Sequence, residues 1–515
     1  MEFDASQFLE HYLWQHLHFT FFSVSLFFVS LLFLFIRKRS QKLLNLPPCP
    51  PGLPIIGNLH QIGNHPHRSL RSLSEKYGPL MLLHFGRVPT VIVSSPDIVK
   101  EIAKNYDVVF SDRFTSTASD VLYYGGNNIV FAPQGEYWKR ARKLCVLELL
   151  SPKRVQSFQS VREEEVSSLV ERLRKASVDG VSVNLTEMLI STSNNVISRC
   201  IFGRSLGGEE EEGRRVGEVV RRAMVQLMAF SVGDFFPSFG WIDVLRGFVG
   251  GLKSSVGDLD AFYNLLLEER NKAMNSTESS GVKDFVEILL QLQKGNVFDM
   301  ELTHDHLKAI VQDMFFGGIE TTSNISEWFM AEIMRRPSVL KKVQEEVRRV
   351  VGEKAKVEMN DIEKMDYFKC VVKETLRLHP PAPLLVPRKT TEDVDIGGYH
   401  IPAGTRGLIN GWAIQRHPGS WDKPEEYIPK RFENNPVDFR GQDYFQFIPF
   451  GFGRRRCPGI KFGVVGVEYL IANLLYWFDW KLPAGEKEED LDMSEVYGIV
   501  VHKKLPLHLV PIPFP

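Results

Sequence analysis

The sequence predicts a mainly helical body with a smaller β portion, preceded by one N-terminal membrane-spanning helix. Three observations carry this. From about residue 134 to residue 380, charged and apolar residues recur at three-to-four spacing, the period of amphipathic helices. After His379 the texture changes to Pro, Gly and short β-like runs such as "DVDIGGYHIPAGT". At the front, "FTFFSVSLFFVSLLFLFI", from Phe19 to Ile36, holds no charge, no Pro and no Gly.

That apolar run comes first. Eighteen helical residues rise about 27 Å, close to the hydrocarbon thickness of a bilayer. It is too long for a cleaved signal peptide and no small-residue cleavage site follows. Arg37, Lys38 and Arg39 follow instead, while Glu2, Asp4 and Glu10 precede it. The basic side stays cytosolic, so the N-terminus is expected in the lumen. The sequons at Asn184, Asn275 and Asn324 would then never meet the glycosylation machinery and read as chance matches.

"LPPCPPGLPIIGN" (Leu46 to Asn58) comes next. Its prolines fix φ and remove donors, giving a stiff connector that sets how the body stands on the membrane. The expected division is therefore 1–18 lumenal, 19–36 anchor, 37–58 basic stop and proline hinge, and 59–515 one cytosolic domain. Length alone suggests about three domains, but no second linker of that kind follows.

Within the body, "LMLLHF" and "TVIVSS" flank Gly86 and Pro89 and predict a hairpin. "GGEEEEG" (207–213) and "MNSTESSG" (274–281) predict loops. One long helix is expected over roughly 303–335, another after Cys457, and strands in "GIVVHKKLPLHLVP".

A chain of 515 residues, 43% hydrophobic, can bury a large core. Its net charge of -1 lacks the basic excess of a nucleic-acid binder. Cys49, Cys145, Cys200, Cys370 and Cys457 are odd in number and far apart, which excludes a disulfide framework and a structural zinc site. Cys145, Cys200 and Cys370 read as small buried hydrophobes, and Cys49 as a bystander in the hinge.

Cys457 does not fit that description. In "FGFGRRRCPGI" its neighbours are glycines and arginines, and Pro458 and Gly459 launch an apolar helix. A thiol just before a helix N-terminus gains thiolate character from the dipole and the unpaired N–H groups. Such a thiolate can be a nucleophile or a metal ligand. No His base is near in sequence, and a protein-only metal site would need more Cys or His. A single thiolate suits haem iron, with arginines for the two propionates.

"PFGFGRRRCPG" resembles the haem-binding loop of cytochromes P-450, with Phe450, Gly451, Gly453, Arg455, Cys457 and Gly459 at the family's spacing. The resemblance implies the family's fold, a triangular helical prism around haem b. It makes Cys457 the axial ligand and Arg455 a propionate contact. "YWKRAR" places Trp138 and Arg142 four apart on a helix, where the family meets a propionate, and "VPRKTTEDV" places Arg388 at another such contact. "ETLR" sets Glu374 and Arg377 one helical turn apart. With Arg431 of "PKRF" they match the family's buried cluster behind the haem, although Lys430 replaces the usual Glu.

"DMFFGGIETTS" (Asp313 to Ser323) puts two glycines inside a helical pattern, at a cost of about 1 kcal/mol each against alanine. Close helix packing is one explanation. The resemblance supplies another: a glycine step that opens the helix at bound oxygen, followed by an acid–alcohol pair, here Glu320 and Thr321, that relays protons. Ile319 and Glu320 stand where plant relatives carry Thr-Asp.

"FAPQGEYWKRARK", "LRLHPPAPLLVPR" and "HLVP" resemble the plant 71 group of microsomal members. The resemblance implies a monooxygenase of the endoplasmic reticulum membrane acting on a small lipophilic substrate of specialised metabolism. Electrons would come from NADPH through a cytochrome P-450 reductase, with cytochrome b5 as a further partner and O2 as co-substrate. The alternative is a haem-thiolate enzyme without oxygen insertion, an aldoxime dehydratase or a hydroperoxide-rearranging enzyme. The implied substrate pocket lies near the 111–128 loop, the 225–240 helices and Phe316, Gly317, Ala382, Leu384, Val386, Tyr497 and Ile499. These are mostly apolar and predict no charged anchor.

Overall fold

The computed structural model describes residues 20–22, 24, 25, 28, 45–206, 211–274, 282–295, 301–439, 441 and 443–514. Most of the 19–36 anchor therefore lies outside the described residues, and residues 20–22, 24, 25 and 28 are helical. Of the two expected loops, 207–210 and 275–281 also lie outside. The acidic run ends in a helix rather than a loop, since Glu211–Met228 begins within it.

The expected hairpin is present as β1 (Leu80–Phe85) and β2 (Val88–Val93), antiparallel about the turn at Gly86. Gly86 has φ of +61°, and a Cβ there would stand 2.5 Å from the Phe235 carbonyl oxygen, so only glycine fits. The remaining strands are β3 (Asp112–Arg113), β4 (Val183–Asn184), β5 (Arg388–Lys389), β6 (Val394–Ile396), β7 (Tyr399–Ile401), β8 (Arg406–Ile409), β9 (Phe478–Lys481), β10 (Glu495–Val496), β11 (His502–Lys503) and β12 (His508–Pro513). One sheet runs β1-β2-β8-β5-β3, with β2 and β8 parallel. A second runs β4-β12-β9, and β6-β7 and β10-β11 form two small pairs. The C-terminal segment is less continuous than expected: 498–501 is irregular, and Gly498 and Ile499 line a cavity instead.

Helices make the bulk. Thr321–Met334, Pro337–Val351, Asp366–Leu378 and Ile460–Trp477 share one apolar core. Leu185–Phe202, Phe248–Met274, Phe285–Gly295 and His304–Ile319 share another. Ile460–Trp477 is the one described helix long and apolar enough to cross a membrane, but it is mostly buried inside the protein, as a helix apolar on nearly all sides must be.

The long helix expected over 303–335 is present but divided. His304–Ile319 starts at a capping box on Thr303 and stops at Glu320, and Thr321–Met334 continues beyond it. The break falls where the glycine pair precedes Glu320 and Thr321.

Candidate active site

The two helical cores and the mixed sheet meet around a cavity of about 290 Å³ that receives Cys457 on one side and Gly317 and Thr321 on the other. The 450–459 loop is shaped by local chemistry. The Cys457 N–H donates to the Phe450 carbonyl at 2.9 Å, closing the loop on itself. Gly453 has φ of +62°, and a Cβ there would stand 2.0 Å from Asp107 Oδ1. Glycine thus lets the loop sit on Asp107, which accepts the Arg454 N–H at 3.1 Å.

Cys457 has accessible surface because it faces this cavity. Burial nevertheless pushes its thiol above the ordinary value, opposed by the Gly459 N–H and by Arg142 and Arg456. For the free thiol, desolvation outweighs the helix terminus. The other cysteines follow expectation: Cys145, Cys200 and Cys370 are buried, and all five are free.

Four guanidinium groups line the same cavity: Arg113, Arg142, Arg388 and Arg455. Arg455 donates only to backbone carbonyls, those of Ser111 (2.6 Å), Ile129 (3.3 Å) and Ala132 (2.6 Å). Arg113 donates to the carbonyls of Val130 and Val386 at 2.8 and 2.7 Å. Arg388 donates to the Phe452 carbonyl at 2.9 Å, with Asp107 no nearer than 3.9 Å. Arg142 donates to the Arg456 carbonyl. Burial and then the Arg388 charge pull Arg455 down to about 9, and burial pulls Arg388 down to about 10. Arg113 is lowered by burial and then by the Arg455, Arg388 and Arg142 charges. Buried like charges of this kind call for an anionic occupant.

Trp138 does not line the cavity. Its indole N–H donates to the Ile129 carbonyl at 3.1 Å. Its ring instead carries the Arg455 guanidinium at 3.9 Å and Arg142 at 5.8 Å from the centroid, so it acts as a platform for two arginines. Gly453 likewise stands off the cavity, for the packing reason above, whereas Phe450, Gly451 and Gly459 line it.

On the opposite wall, Thr321 Oγ1 donates to the Gly317 carbonyl at 3.0 Å. The two explanations of the glycine pair divide between its members. A Cβ on Gly318 would stand 2.5 Å from Ile197 Cδ1, whereas one on Gly317 would meet nothing within 4 Å. Gly318 allows close packing, and Gly317 leaves space in the cavity. Glu320 does not line the cavity; its carboxylate stands 3.3 Å from His502 Nε2 on the half-exposed outer side of the helix break. It reaches that side because the break turns the residue after Ile319 away from the cavity.

Behind the Cys457 loop, Glu374, Arg377 and Arg431 form the expected cluster. Arg377 Nε and Nη2 donate to the two Glu374 oxygens at 2.7 and 2.9 Å, and Arg431 Nε reaches Glu374 at 3.0 Å. Arg377 also donates to the carbonyls of Gln415, Pro424 and Glu426. Lys430 disturbs none of this.

A second cavity, of about 490 Å³, adjoins the first: both are lined by Val130, Asp313, Gly317, Ala382, Leu385 and Val386. Phe316, Gly317, Ala382, Leu384, Val386, Tyr497 and Ile499 all line it, with Phe114 and Tyr123 from the 111–128 loop and Met228 and Phe235 from the 225–240 region. Its wall is not free of charge, however. Arg406, Asp234 and Asp313 contribute to it, and sequence reasoning missed all three, as it missed Arg113. Asp313 accepts from Asn128 Nδ2 (2.9 Å) and the Ile129 N–H (2.6 Å), yet burial pushes it up to about 7.

This architecture, a helical body with a cysteine loop facing a glycine–threonine helix break across a buried cavity, is a recognised protein class. The family model described as Cytochrome P450 matches residues 47–510, and the chain belongs to that family. It is 52% identical over 506 residues to phenylacetaldehyde oxime monooxygenase CYP71AN24 of Prunus mume, covering 96% of this chain and 95% of the relative. It is 52% identical over 456 residues to cytochrome P450 71A1 of Persea americana, covering 88% and 91%. A zebrafish cytochrome P450 solved with progesterone superposes with a TM-score of 0.73 at 27% identity, covering 87% of this chain and 99% of that one.

The chain is thus a plant cytochrome P450 of the 71 clan and a P450 monooxygenase, a class that uses haem and O2. The residues present fit the haem. The cavity offers one thiol, that of Cys457, and among the described residues no carboxylate lies in salt-bridge range of Arg113, Arg142 or Arg455. Two propionates would supply the missing negative charge.

Proposed function

We propose that this protein inserts one oxygen atom of O2 into a small lipophilic substrate of plant specialised metabolism, with electrons from NADPH through a cytochrome P-450 reductase and with cytochrome b5 as a further donor. The observation that carries the proposal is that Cys457 and Thr321 line one cavity, which shares six lining residues with a second, mainly apolar one.

Haem bound by Cys457 would supply O2 activation. The chain's own residues do the rest. Arg113, Arg142, Arg388 and Arg455 hold the propionates, and the Trp138 ring holds two of those arginines in place. Phe450, Gly451 and Gly459 let the Cys457 loop approach a flat group. Thr321 holds a proton at Oγ1 on the cavity side, while Glu320 and His502 take protons from the solvent side of the same helix break. Glu374, Arg377 and Arg431 brace the loop that carries Cys457. The apolar second cavity orients the substrate and excludes water.

Residues 19–36 would anchor the chain in the endoplasmic reticulum membrane, with 1–18 lumenal, 37–58 as basic stop and hinge, and 59–515 as the cytosolic catalytic domain. Exposed Leu53, Ile55 and Ile56 of the hinge suit a body resting on lipid. The name of the Prunus mume relative favours phenylacetaldehyde oxime as the first substrate to screen, and with it the dehydratase alternative as the second outcome of that screen.

The test is the carbon-monoxide difference spectrum of the reduced protein in microsomes, followed by NADPH-driven turnover with a reductase. A strongly red-shifted Soret band and an oxygenated product are expected. A fully occupied haem with a histidine-type band would sink the proposal.

A further inference from the structure

Arg406 is the one charged side chain of β8, and the strand explains where it points. Alternation along a strand sends every second residue to one face. Arg406 and Leu408 both line the second cavity, whereas a Cβ on Gly407 would stand 3.4 Å from the Phe110 ring and Ile409 belongs to the core cluster that includes Phe110. The guanidinium is therefore aimed into a mainly apolar chamber. It is 92% buried.

It is also short of partners. Its Nε finds no hydrogen bond among the described residues, and no carboxylate stands within salt-bridge range of it there. What surrounds it is aromatic: the Phe114 ring lies 3.6 Å from the guanidinium carbon and the Phe235 ring 5.5 Å. Asp234 is the nearby acid, but its Oδ1 is already held by the Thr117 N–H and hydroxyl, each at 2.8 Å. The other acid of the cavity, Asp313, is tied to Asn128 and Ile129. A buried guanidinium with open donors is costly, and natural interiors pair such groups.

We propose that Arg406 anchors an oxygen acceptor of the substrate, best an ionised carboxylate, and so fixes which end of the substrate reaches the oxidising chamber. Arg406 lines the second cavity and not the first, whereas Cys457 lines the first and not the second. The substrate class is then an elongated, mainly apolar molecule with an acceptor oxygen at one end and the oxidised carbon at the other. The Phe114 and Phe235 rings lie against the guanidinium and leave its fork free to donate to two oxygens. This deepens the monooxygenase reading and rests on it.

Equilibrium dialysis of the full-length holoenzyme in microsomes tests it with three probes of one shape: 4-phenylbutanoic acid, its methyl ester and butylbenzene. Arg406→Met is expected to weaken the acid about 10- to 100-fold, the ester less, and to leave butylbenzene unchanged. Arg406→Lys, which keeps the charge and loses the fork, should fall between, and it carries the test if the Met variant does not assemble. Equal responses of acid and butylbenzene, or no binding of the acid to the wild type, overturn the proposal. Failure of the monooxygenase reading shows elsewhere, in the carbon-monoxide spectrum of the wild-type protein.

Discussion

Thr321 Oγ1 lies 3.0 Å from the carbonyl oxygen of Gly317 and donates to it across the turn where the long helix breaks. The hydroxyl is thereby held on the cavity wall with its lone pairs free. Thr321→Ala is expected to bind haem normally, to lower product formation on the order of 10²-fold and to release the electrons as hydrogen peroxide. Parallel assays of NADPH, peroxide and product check this. Unchanged coupling would remove the proton-holding role.

Gly317 and Gly318 should respond oppositely to alanine. Gly318→Ala forces a Cβ to 2.5 Å from Ile197 Cδ1 and should cost about 1–3 kcal/mol of stability through overpacking. Gly317→Ala meets open space and should fold normally while altering ligand binding. Thermal unfolding of both variants decides. Equal destabilisation would refute the division of roles.

Glu374→Ala leaves Arg377 and Arg431 facing each other without their carboxylate. Arg377 is fully buried, and breaking a buried ion pair costs about 3–5 kcal/mol. Little or no holoprotein is expected, measured as haem per polypeptide after expression. Arg431 is the less buried partner of the pair, so Arg431→Lys should retain more.

Three buried carboxyls should make stability fall as pH rises from about 4 to 7, against His67 and His379, whose values burial lowers and which act the other way below about 6.5. Burial raises Asp313 and Glu468 to about 7 each and Asp284 to about 6, against about 4 in the unfolded chain. The folded protein then binds more protons than the unfolded one, so the stabilisation is complete below about pH 4 and is lost as pH passes the folded values. Asp313→Asn should flatten the profile. Denaturant titrations of both proteins at pH 5, 6 and 7.5 would show it, and an Asp313→Asn profile parallel to that of the wild type would contradict the raised value of Asp313.

Cys457→Ala should abolish thiolate-type haem spectra while leaving the helical far-ultraviolet signal intact. Burial works against a free thiolate at this position, so deprotonation is expected to depend on iron. Titrating the thiol of haem-free protein should find it mainly protonated at pH 7, and a reactive free thiolate there would contradict this.

The sequence by itself determined the helical body, the first hairpin, the Cys457 loop, the Glu374–Arg377 turn and the apolar wall around Phe316 and Leu384. These are local: a period, a turn residue, a ring of glycines or two residues one helical turn apart. Tertiary structure decided what depends on approach between distant segments. It turned the Trp138 N–H to Ile129 instead of the cavity and set Glu320 beside His502 on the far side of a helix break. It assigned Gly318 to packing and Gly317 to space, because only one of them faces Ile197. It also brought Arg113 into the first cavity and Arg406 into the second. A lone arginine in a short strand carries no signal of its partners, since burial and the absence of a counter-charge are properties of what folds around it.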